Sequence, residues 1–327
     1  MNTNPIVPEN DPARMSDGAP EALLHKPSSL ERVAVRGLTY TVRRWGPADA
    51  PQVFLLHGWM DSSPTFQFVV DALSDAFAEG RQIIAPDWRG YGQTALPGTD
   101  NYWFPDYLAD LDTLLDHYAP EQPVDLVGHS MGGNVVMLYA GVRPQRIRRL
   151  INLEGFGMPA TRPSQAPGRL AKWMDDLKAL HRGELDLKAY DDAAGVARRL
   201  MKTNPRLGQD RAEWLAREWA APRVQPDGTT KWQIQGDPAH KIINAQLYRV
   251  DEVLEIYRRI TAPTLAVEAT DDSLGQWWQG KYTLDEYHER LKAVPDCRIA
   301  VVQDAGHMLQ HDQPEALAAL IEEFLAG

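Results

Sequence analysis

The hydrophobic pattern of the chain alternates between two periods. Continuous apolar runs predict buried parallel strands at residues 52–58, 81–88, 124–129, 148–155, 262–269 and 297–303. Apolar positions spaced three or four apart predict helices at residues 64–77, 104–118, 131–142, 253–260, 282–294 and 314–326. Two short alternating runs on either side of Arg36-Gly37 predict a β-hairpin. This succession predicts an α/β fold with a mostly parallel sheet and helices on both faces.

The alternation of strands and helices is interrupted in the middle of the chain. From about Gly157 to Val250 the pattern is helical, with turns but no buried strand, and it is rich in tryptophan. We therefore expect a helical cap, residues 157–249, inserted into one core formed by residues 31–156 and 250–327. The proline-rich, polar N-terminus predicts a disordered tail over residues 1–30.

The charge balance limits the class of partner. The 327 residues include 45 acidic and 34 basic side chains, which gives a formal net charge of -11. This argues against a nucleic-acid binder and against docking on an anionic membrane. No run is long enough to span a bilayer, and the N-terminus lacks the apolar core of a signal peptide. We expect a cytoplasmic protein that is a monomer or a homodimer.

Candidate chemistry centres on the stretch LVGHSMGGNV, residues 126–135. It contains G-x-S-x-G between a predicted strand and a predicted helix, the context of a nucleophile turn. Such a turn is sharp and strained, and it lifts the Ser130 hydroxyl off the carboxyl end of the strand. Side chains at Gly128 and Gly132 would collide with neighbouring backbone. The sequence therefore predicts Ser130 as a nucleophile.

A serine nucleophile requires a base and an acid, expected in the chain order serine, acid, histidine. His307, in the loop before the last helix, is the predicted base, and His311 is the alternative. Asp272, just after a buried strand, is the preferred acid. Glu154, at the end of the preceding strand, and Asp271 remain alternatives, because geometry rather than sequence position defines a triad.

Two backbone N–H groups are expected to form an oxyanion hole. Met131 follows the nucleophile and supplies one, and Trp59, in the loop HGWMDSS after the first central strand, supplies the other. His57 is a further possible base, although bracing of this loop is the preferred interpretation. The predicted substrate pocket is apolar and aromatic, and its expected members are His57, Met60, Phe156, Trp277 and Trp278.

Several separated motifs together resemble the α/β-hydrolase superfamily. HGWMDSS, PDWRGYGQT, GHSMGG, the acid after PTLAVEA and AGHMLQHDQPEAL follow one another in that family's order. The resemblance covers about residues 33–156 and 250–324. It implies an α/β-hydrolase fold with Ser130, His307 and Asp272 as the triad, and Trp59 and Met131 as oxyanion donors. The segment GTTKWQIQGDPAHKIINAQLYR is also similar to the serine hydrolase-like group of this superfamily.

These observations predict a serine hydrolase of small to medium hydrophobic carboxylic esters, acting through an acyl-enzyme. No phosphate-binding loop or dinucleotide fingerprint is present, so no cofactor is implied, and no metal site is expected. An amide or lactone hydrolase is possible. So is a carbon–carbon bond hydrolase of ring-fission products, which would need Arg162, Arg169 or Arg223 to hold a carboxylate. A non-catalytic small-molecule binding protein on the same fold is the alternative from another class.

Overall fold

The computed structural model describes residues 26–225 and 227–327. The described residues form strands β1 (Ser29–Val35), β2 (Leu38–Trp45), β3 (Gln52–Leu56), β4 (Gln82–Pro86), β5 (Val124–His129), β6 (Ile147–Leu153), β7 (Ala189–Tyr190), β8 (Ala220–Val224), β9 (Thr230–Ile234), β10 (Thr264–Ala269) and β11 (Cys297–Val302). They also form helices α1 (Gln67–Ala72), α2 (Asp75–Glu79), α3 (Pro105–Tyr118), α4 (Met131–Val142), α5 (Ala166–His181), α6 (Ala193–Thr203), α7 (Gln209–Trp219), α8 (Val250–Tyr257), α9 (Ser273–Trp278), α10 (Leu284–Leu291), α11 (Leu309–Asp312) and α12 (Pro314–Ala326).

Eight of these strands build one sheet in the order β1-β2-β4-β3-β5-β6-β10-β11. β2 pairs antiparallel with β1 and with β4, whereas the remaining neighbours are parallel. Apolar side chains cover both faces, since Leu126 of β5 joins one buried cluster and Val127 joins the other. Helices α3 and α4 contribute to the first cluster, and α1 and α12 contribute to the second. The predicted α/β fold is confirmed.

The parallel order places the candidate site. β3, β5 and β6 are adjacent parallel strands at the centre of the sheet. The carboxyl ends of such strands meet at one edge, so the loops that follow them lie together. These loops contain the HGWMDSS segment, the Ser130 turn and Glu154.

The segment predicted as a helical cap, residues 157–249, contains α5, α6 and α7 and also a separate antiparallel sheet, β7-β9-β8. These strands were not predicted from the sequence, because they are short and mostly exposed and no buried apolar run marks them. Val196 of α6 and Leu215 of α7 pack in a third apolar cluster that also includes Phe68 of α1. This cluster holds α6 and α7 against the sheet-bearing part of the chain.

Two predicted boundaries in the first third of the chain are wrong. The helix expected at 64–77 is divided into a short 3₁₀ turn, α1 and α2, because Leu73 is extended and the Ser74 hydroxyl caps α2 by accepting from the Phe77 N–H. The predicted disordered tail covers residues 1–30, of which residues 1–25 lie outside the described residues. Its last two residues, Ser29 and Leu30, already belong to β1, so the tail is shorter than predicted.

One property of the helices bears on membranes. Among the described residues, no helix is both long enough and apolar enough to cross a bilayer.

Candidate active site

Ser130 lies on the sharp turn between β5 and α4. Its φ of 54° and ψ of -114° are unusual for a residue with a side chain, and its N–H donates to the Leu153 carbonyl at 2.8 Å. A Cβ at Gly128 would lie 2.4 Å from the Gly132 carbonyl oxygen, and one at Gly132 would lie 2.1 Å from that of Leu56. Both glycines are therefore required, because the strained turn packs backbone directly on backbone.

Two backbone groups predicted as oxyanion donors lie beside this turn. Met131 is the first residue of α4, so its N–H has no partner within the helix and points from the positive end of the helix dipole. Trp59 follows β3, the parallel neighbour of β5, and it lines the same cavity as Ser130. The role of these two N–H groups as oxyanion donors stays a prediction.

The predicted base, His307, lies in the loop between β11 and α11 and lines the same cavity. Its Nδ1 is 3.1 Å from Oε2 of Glu154. When Glu154 is ionised it can only accept, so Nδ1 carries the proton and Nε2 is left free to accept one. The indole of Trp277 packs edge-on against the imidazole, with 4.2 Å between ring centroids. The Glu154 carboxylate and the Trp277 indole thus fix the ring of His307 in the wall of the cavity that Ser130 also lines.

The preference for Asp272 as the acid is wrong in this structure. The Asp272 carboxylate caps α9, accepting from the Gly275 N–H at 2.7 Å. Asp271, the other candidate in this loop, forms an ion pair with Arg206 at 2.7 Å. Glu154, retained as an alternative, is the carboxylate that reaches His307.

The position of Glu154 is fixed by backbone. It follows β6 with a φ of 55°, its N–H donates to Val267, and its Oε1 accepts from the Ala269 N–H at 2.8 Å. Burial raises the pKa of Glu154 to about 7, and burial lowers the pKa of His307 to about 3. Both shifts have the same cause, which is that removal from water disfavours the charged form. An imidazole kept neutral in the resting state is able to accept a proton.

His129 has a positioning role that the sequence analysis did not assign. Its Nε2–H donates to the main-chain carbonyl of His307 at 2.7 Å, while its Nδ1 accepts from Gln310 at 3.3 Å. The side chain next to Ser130 thus holds the loop that carries His307. The signal available in the sequence was its place inside G-H-S-M-G, but that pattern does not indicate where the ring points.

The candidate residues open on a cavity of about 220 Å³. Its walls come from three regions: the loop after β3, the two catalytic loops and the α6–α7 part of the cap segment. The lining residues are Gly58, Trp59, Met60, Asp61, His129, Ser130, Leu200, Thr203, Asn204, Leu207, Leu215, Trp219, His307, Met308 and His311. The cavity is therefore mainly apolar on the side formed by α6 and α7.

The predicted pocket residues divide into three groups. Met60 lines the cavity, whereas Trp277 and Trp278 do not; Trp277 instead covers one side of His307. Phe156 is buried against Tyr287, with 5.0 Å between ring centroids, so its expected place in the pocket is wrong. The prediction that His57 lines the pocket is also wrong.

His57 is fully buried and braces the loop instead. Its Nε2 accepts from the Trp88 N–H at 2.9 Å, and its Nδ1 donates to the Gly58 carbonyl at 2.8 Å. The alternative base, His311, lines the cavity, but its Nε2 is engaged with the Thr65 hydroxyl at 2.9 Å. Neither histidine lies against a carboxylate as His307 does.

Known proteins share this architecture. The family model of the α/β hydrolase fold matches residues 51–314. A serine hydrolase-like protein of Danio rerio is 26% identical over 296 residues, which cover 86% of this chain and 83% of that protein. A serine hydrolase-like protein of Dictyostelium discoideum is 24% identical over 315 residues, covering 91% and 82% of the two chains.

A solved structure has a similar fold. The thioesterase domain from the curacin biosynthetic pathway has a TM-score of 0.75 at 24% identity, covering 90% of this chain and 99% of that one. The family match and the curated relatives together support hydrolase activity in general.

Proposed function

Because this chain belongs to the α/β hydrolase fold family, we propose that it is a serine hydrolase that cleaves carboxylic esters through an acyl-enzyme. One observation carries the proposal: Ser130, on its strained turn, and His307, paired with Glu154, line one cavity. The triad in this proposal is Ser130, His307 and Glu154.

The proposed reaction is acyl transfer in two steps. His307 Nε2 takes the hydroxyl proton of Ser130 as the oxygen attacks the ester carbonyl. Glu154 holds the imidazole in the required tautomer and stabilises its charged form. The N–H groups of Met131 and Trp59 bind the developing oxyanion. His307 then protonates the leaving alcohol, and water, activated by the same imidazole, releases the acid from Ser130.

The cavity walls favour an apolar substrate of limited size. Leu200, Leu207, Leu215 and Trp219 come from the cap segment and face the catalytic loops. Apolar contacts of this kind bind alkyl groups with little directional preference. A volume of about 220 Å³ lies below the range of about 300–1,000 Å³ that is usual for pockets of drug-sized ligands. We therefore propose a short to medium acyl group.

The carbon–carbon bond hydrolase is less well supported. That reaction needs a cation to hold the dienoate carboxylate, but the described cavity wall includes neither arginine nor lysine. Of the three arginines considered for this purpose, Arg169 donates to the Asn244 carbonyl and Arg223 is exposed on β8. Arg162 precedes α5 and is likewise not part of the wall.

The experiment is hydrolysis of p-nitrophenyl esters from acetate to laurate by the wild type, Ser130→Ala and His307→Gln. We expect turnover by the wild type with an optimum in the short to medium range, and a loss of roughly 10³-fold or more in both variants. Folding of the variants is checked by circular dichroism. Absence of turnover by folded wild-type protein, or equal rates in Ser130→Ala, would refute the proposal.

A further inference from the structure

One carboxyl group in the cavity wall has no role in the proposed reaction. Asp61, in the loop after β3, accepts a hydrogen bond at Oδ1 from the Ser62 N–H at 2.8 Å. Its Oδ2 is buried and has no hydrogen-bond partner among the described residues. A buried carboxyl oxygen with no partner is unusual, because its lost hydration is not replaced.

The surroundings of Asp61 supply no positive charge. No described residue forms an ion pair with it, and the charged group that shifts its pKa is another acid, Asp87. Burial raises the pKa of Asp61 to about 7, although the Ser62 N–H and the nearby Thr65 hydroxyl favour the ionised form. The Asp61 carboxyl group thus lies in the cavity wall without a cation beside it. Near neutral pH it exists both as the carboxylic acid and as the carboxylate.

Three other polar side chains of this wall already have hydrogen-bond partners. Asn204 donates to Asp312 at 2.6 Å, and Thr203 donates to the main-chain carbonyl of Arg199 at 2.9 Å. His311 is bonded to Thr65. Among the described residues of the cavity wall, Asp61 is therefore the one with a buried side-chain oxygen that lacks a hydrogen-bond partner.

We propose that Asp61 is a specificity-determining residue that recognises a hydroxyl group on the acyl part of the substrate, next to otherwise apolar walls. A hydroxyl fits because it can accept from a carboxylic acid and donate to a carboxylate, and so it pairs with Asp61 in either state. A substrate carboxylate would be repelled by the ionised form. The inference rests on the proposed esterase function and narrows its substrate class to hydroxyacyl esters.

The size of the cavity limits where that hydroxyl can be. A six-carbon acyl chain with one hydroxyl substituent is a probe of suitable length for a cavity of about 220 Å³. The test therefore uses ethyl hexanoate and the ethyl esters of 3-, 5- and 6-hydroxyhexanoic acid, with acid release measured for the wild type, Asp61→Leu and Asp61→Asn. Leucine matches the shape of aspartate but cannot form hydrogen bonds, whereas asparagine retains both donor and acceptor.

We expect at least one hydroxy ester to exceed ethyl hexanoate in kcat/KM by roughly 10-fold or more in the wild type, because a site built around a hydrogen bond discriminates against an analogue that lacks it. That ratio should fall to about one in Asp61→Leu and be partly retained in Asp61→Asn. If Asp61→Leu does not fold, the comparison of Asp61→Asn with the wild type still tests the ratio.

A second readout does not depend on turnover. Calorimetry with Ser130→Ala, which cannot form an acyl-enzyme, should give tighter binding for the preferred hydroxy ester than for ethyl hexanoate, and the added change Asp61→Leu should abolish the difference. Equal binding of both esters, together with unchanged ratios in the variants, would overturn the role of Asp61 and leave the esterase intact. If none of the esters is hydrolysed but the hydroxy ester still binds more tightly, the esterase proposal is refuted and the recognition of a hydroxyl group by Asp61 stands.

Discussion

The Nδ1 atom of His307 lies 3.1 Å from Oε2 of Glu154, a carboxylate placed at the end of β6, the strand beside the nucleophile strand. His129 and Leu153 are paired in the register of β5 and β6, so Ser130 and Glu154 follow directly after paired residues. The Ser130 N–H donates to the Leu153 carbonyl, which ties the two turns together. Ser130 and Glu154, the proposed nucleophile and acid, are thus fixed by one strand pair, and a loop brings the proposed base, His307, to Glu154.

This pairing predicts unequal effects of removing charge from the two candidate acids. In Glu154→Gln we expect kcat to fall by roughly 10³–10⁴-fold, because a neutral amide can stabilise the wrong tautomer of His307 and cannot stabilise its charged form. Asp272→Asn should retain activity within a few-fold, because asparagine also caps a helix. The measurement is steady-state hydrolysis of a p-nitrophenyl ester by both variants. A severe loss in Asp272→Asn with an active Glu154→Gln would reverse the assignment.

The turn that carries Ser130 was predictable from sequence for a physical reason. Such a turn demands glycines at fixed spacing between a strand and a helix, and the close contacts that a Cβ would make at Gly128 and Gly132 are those that the pattern implied. The acid was not predictable in this way. Several carboxylates follow neighbouring strands, and the choice depends on the left-handed backbone of Glu154 and on the engagement of Asp272 as a cap.

The pocket was predicted less well than the turn. The helical pattern of the cap segment does not say which part of the core its apolar side chains cover. Leu200, Leu207 and Leu215 could therefore not be assigned to the cavity, whereas aromatic residues such as Phe156 were expected there and instead fill the core. The place of a lining residue is decided by tertiary packing over long sequence separations.

The pKa values of the His307–Glu154 pair predict how activity depends on pH. Burial raises the pKa of Glu154 to about 7, and only its ionised form holds His307 in the productive tautomer. We therefore expect kcat/KM to rise with increasing pH through a single ionisation near pH 7. In Glu154→Gln the residual activity should depend on His307 alone, whose pKa burial lowers to about 3, so the rising limb should move to more acidic pH.

The measurement is kcat/KM between about pH 4 and pH 9 for an ester without ionisable groups. A Ser130→Ala blank at each pH removes the contribution of spontaneous hydrolysis. If kcat/KM rises at the same pH in the wild type and in Glu154→Gln, this ionisation does not belong to the His307–Glu154 pair.

Buried neutral histidines predict that the protein loses stability in mild acid. Burial lowers the pKa of five histidines, to about 4 for His57, to about 3 for His240, His307 and His311, and well below its usual value for His129. In the unfolded chain these groups take up protons near pH 6.5, so that state binds more protons and the free energy of unfolding falls as the pH falls below 6.5. Each contributes a loss on the order of 1 kcal/mol between pH 7 and pH 5.5.

Four acids act in the opposite direction, because burial raises the pKa of Asp61, Asp125, Glu154 and Glu268 in the folded protein. Asp61 and Glu154, with folded-state pKa values of about 7, take up protons in the folded protein first and stabilise it as the pH falls. The five histidines outnumber these acids, and we expect a net loss on the order of 1 kcal/mol or more between pH 7 and pH 5.5. Urea unfolding at the two pH values measures it. A free energy of unfolding that is constant or higher at pH 5.5 would contradict this balance.

The packing around two glycines predicts opposite effects of the same substitution. A Cβ at Gly132 would lie 2.1 Å from the Leu56 carbonyl oxygen, in the middle of the sheet, where neither backbone segment can move without disturbing β3. We expect Gly132→Ala to destabilise the fold by about 2–3 kcal/mol or more and to abolish activity, because the turn that presents Ser130 must open.

Gly168 provides the matched control. It lies near the start of α5, and a Cβ there would meet no other atom within 4 Å. Alanine restricts the unfolded chain and favours the helix, so Gly168→Ala should raise the free energy of unfolding by about 0.5–1 kcal/mol and leave ester hydrolysis unchanged. Urea unfolding and ester assays on the two variants test the pair. A Gly132→Ala protein of wild-type stability and activity would mean that the turn does not need the close backbone contact on which the position of Ser130 depends.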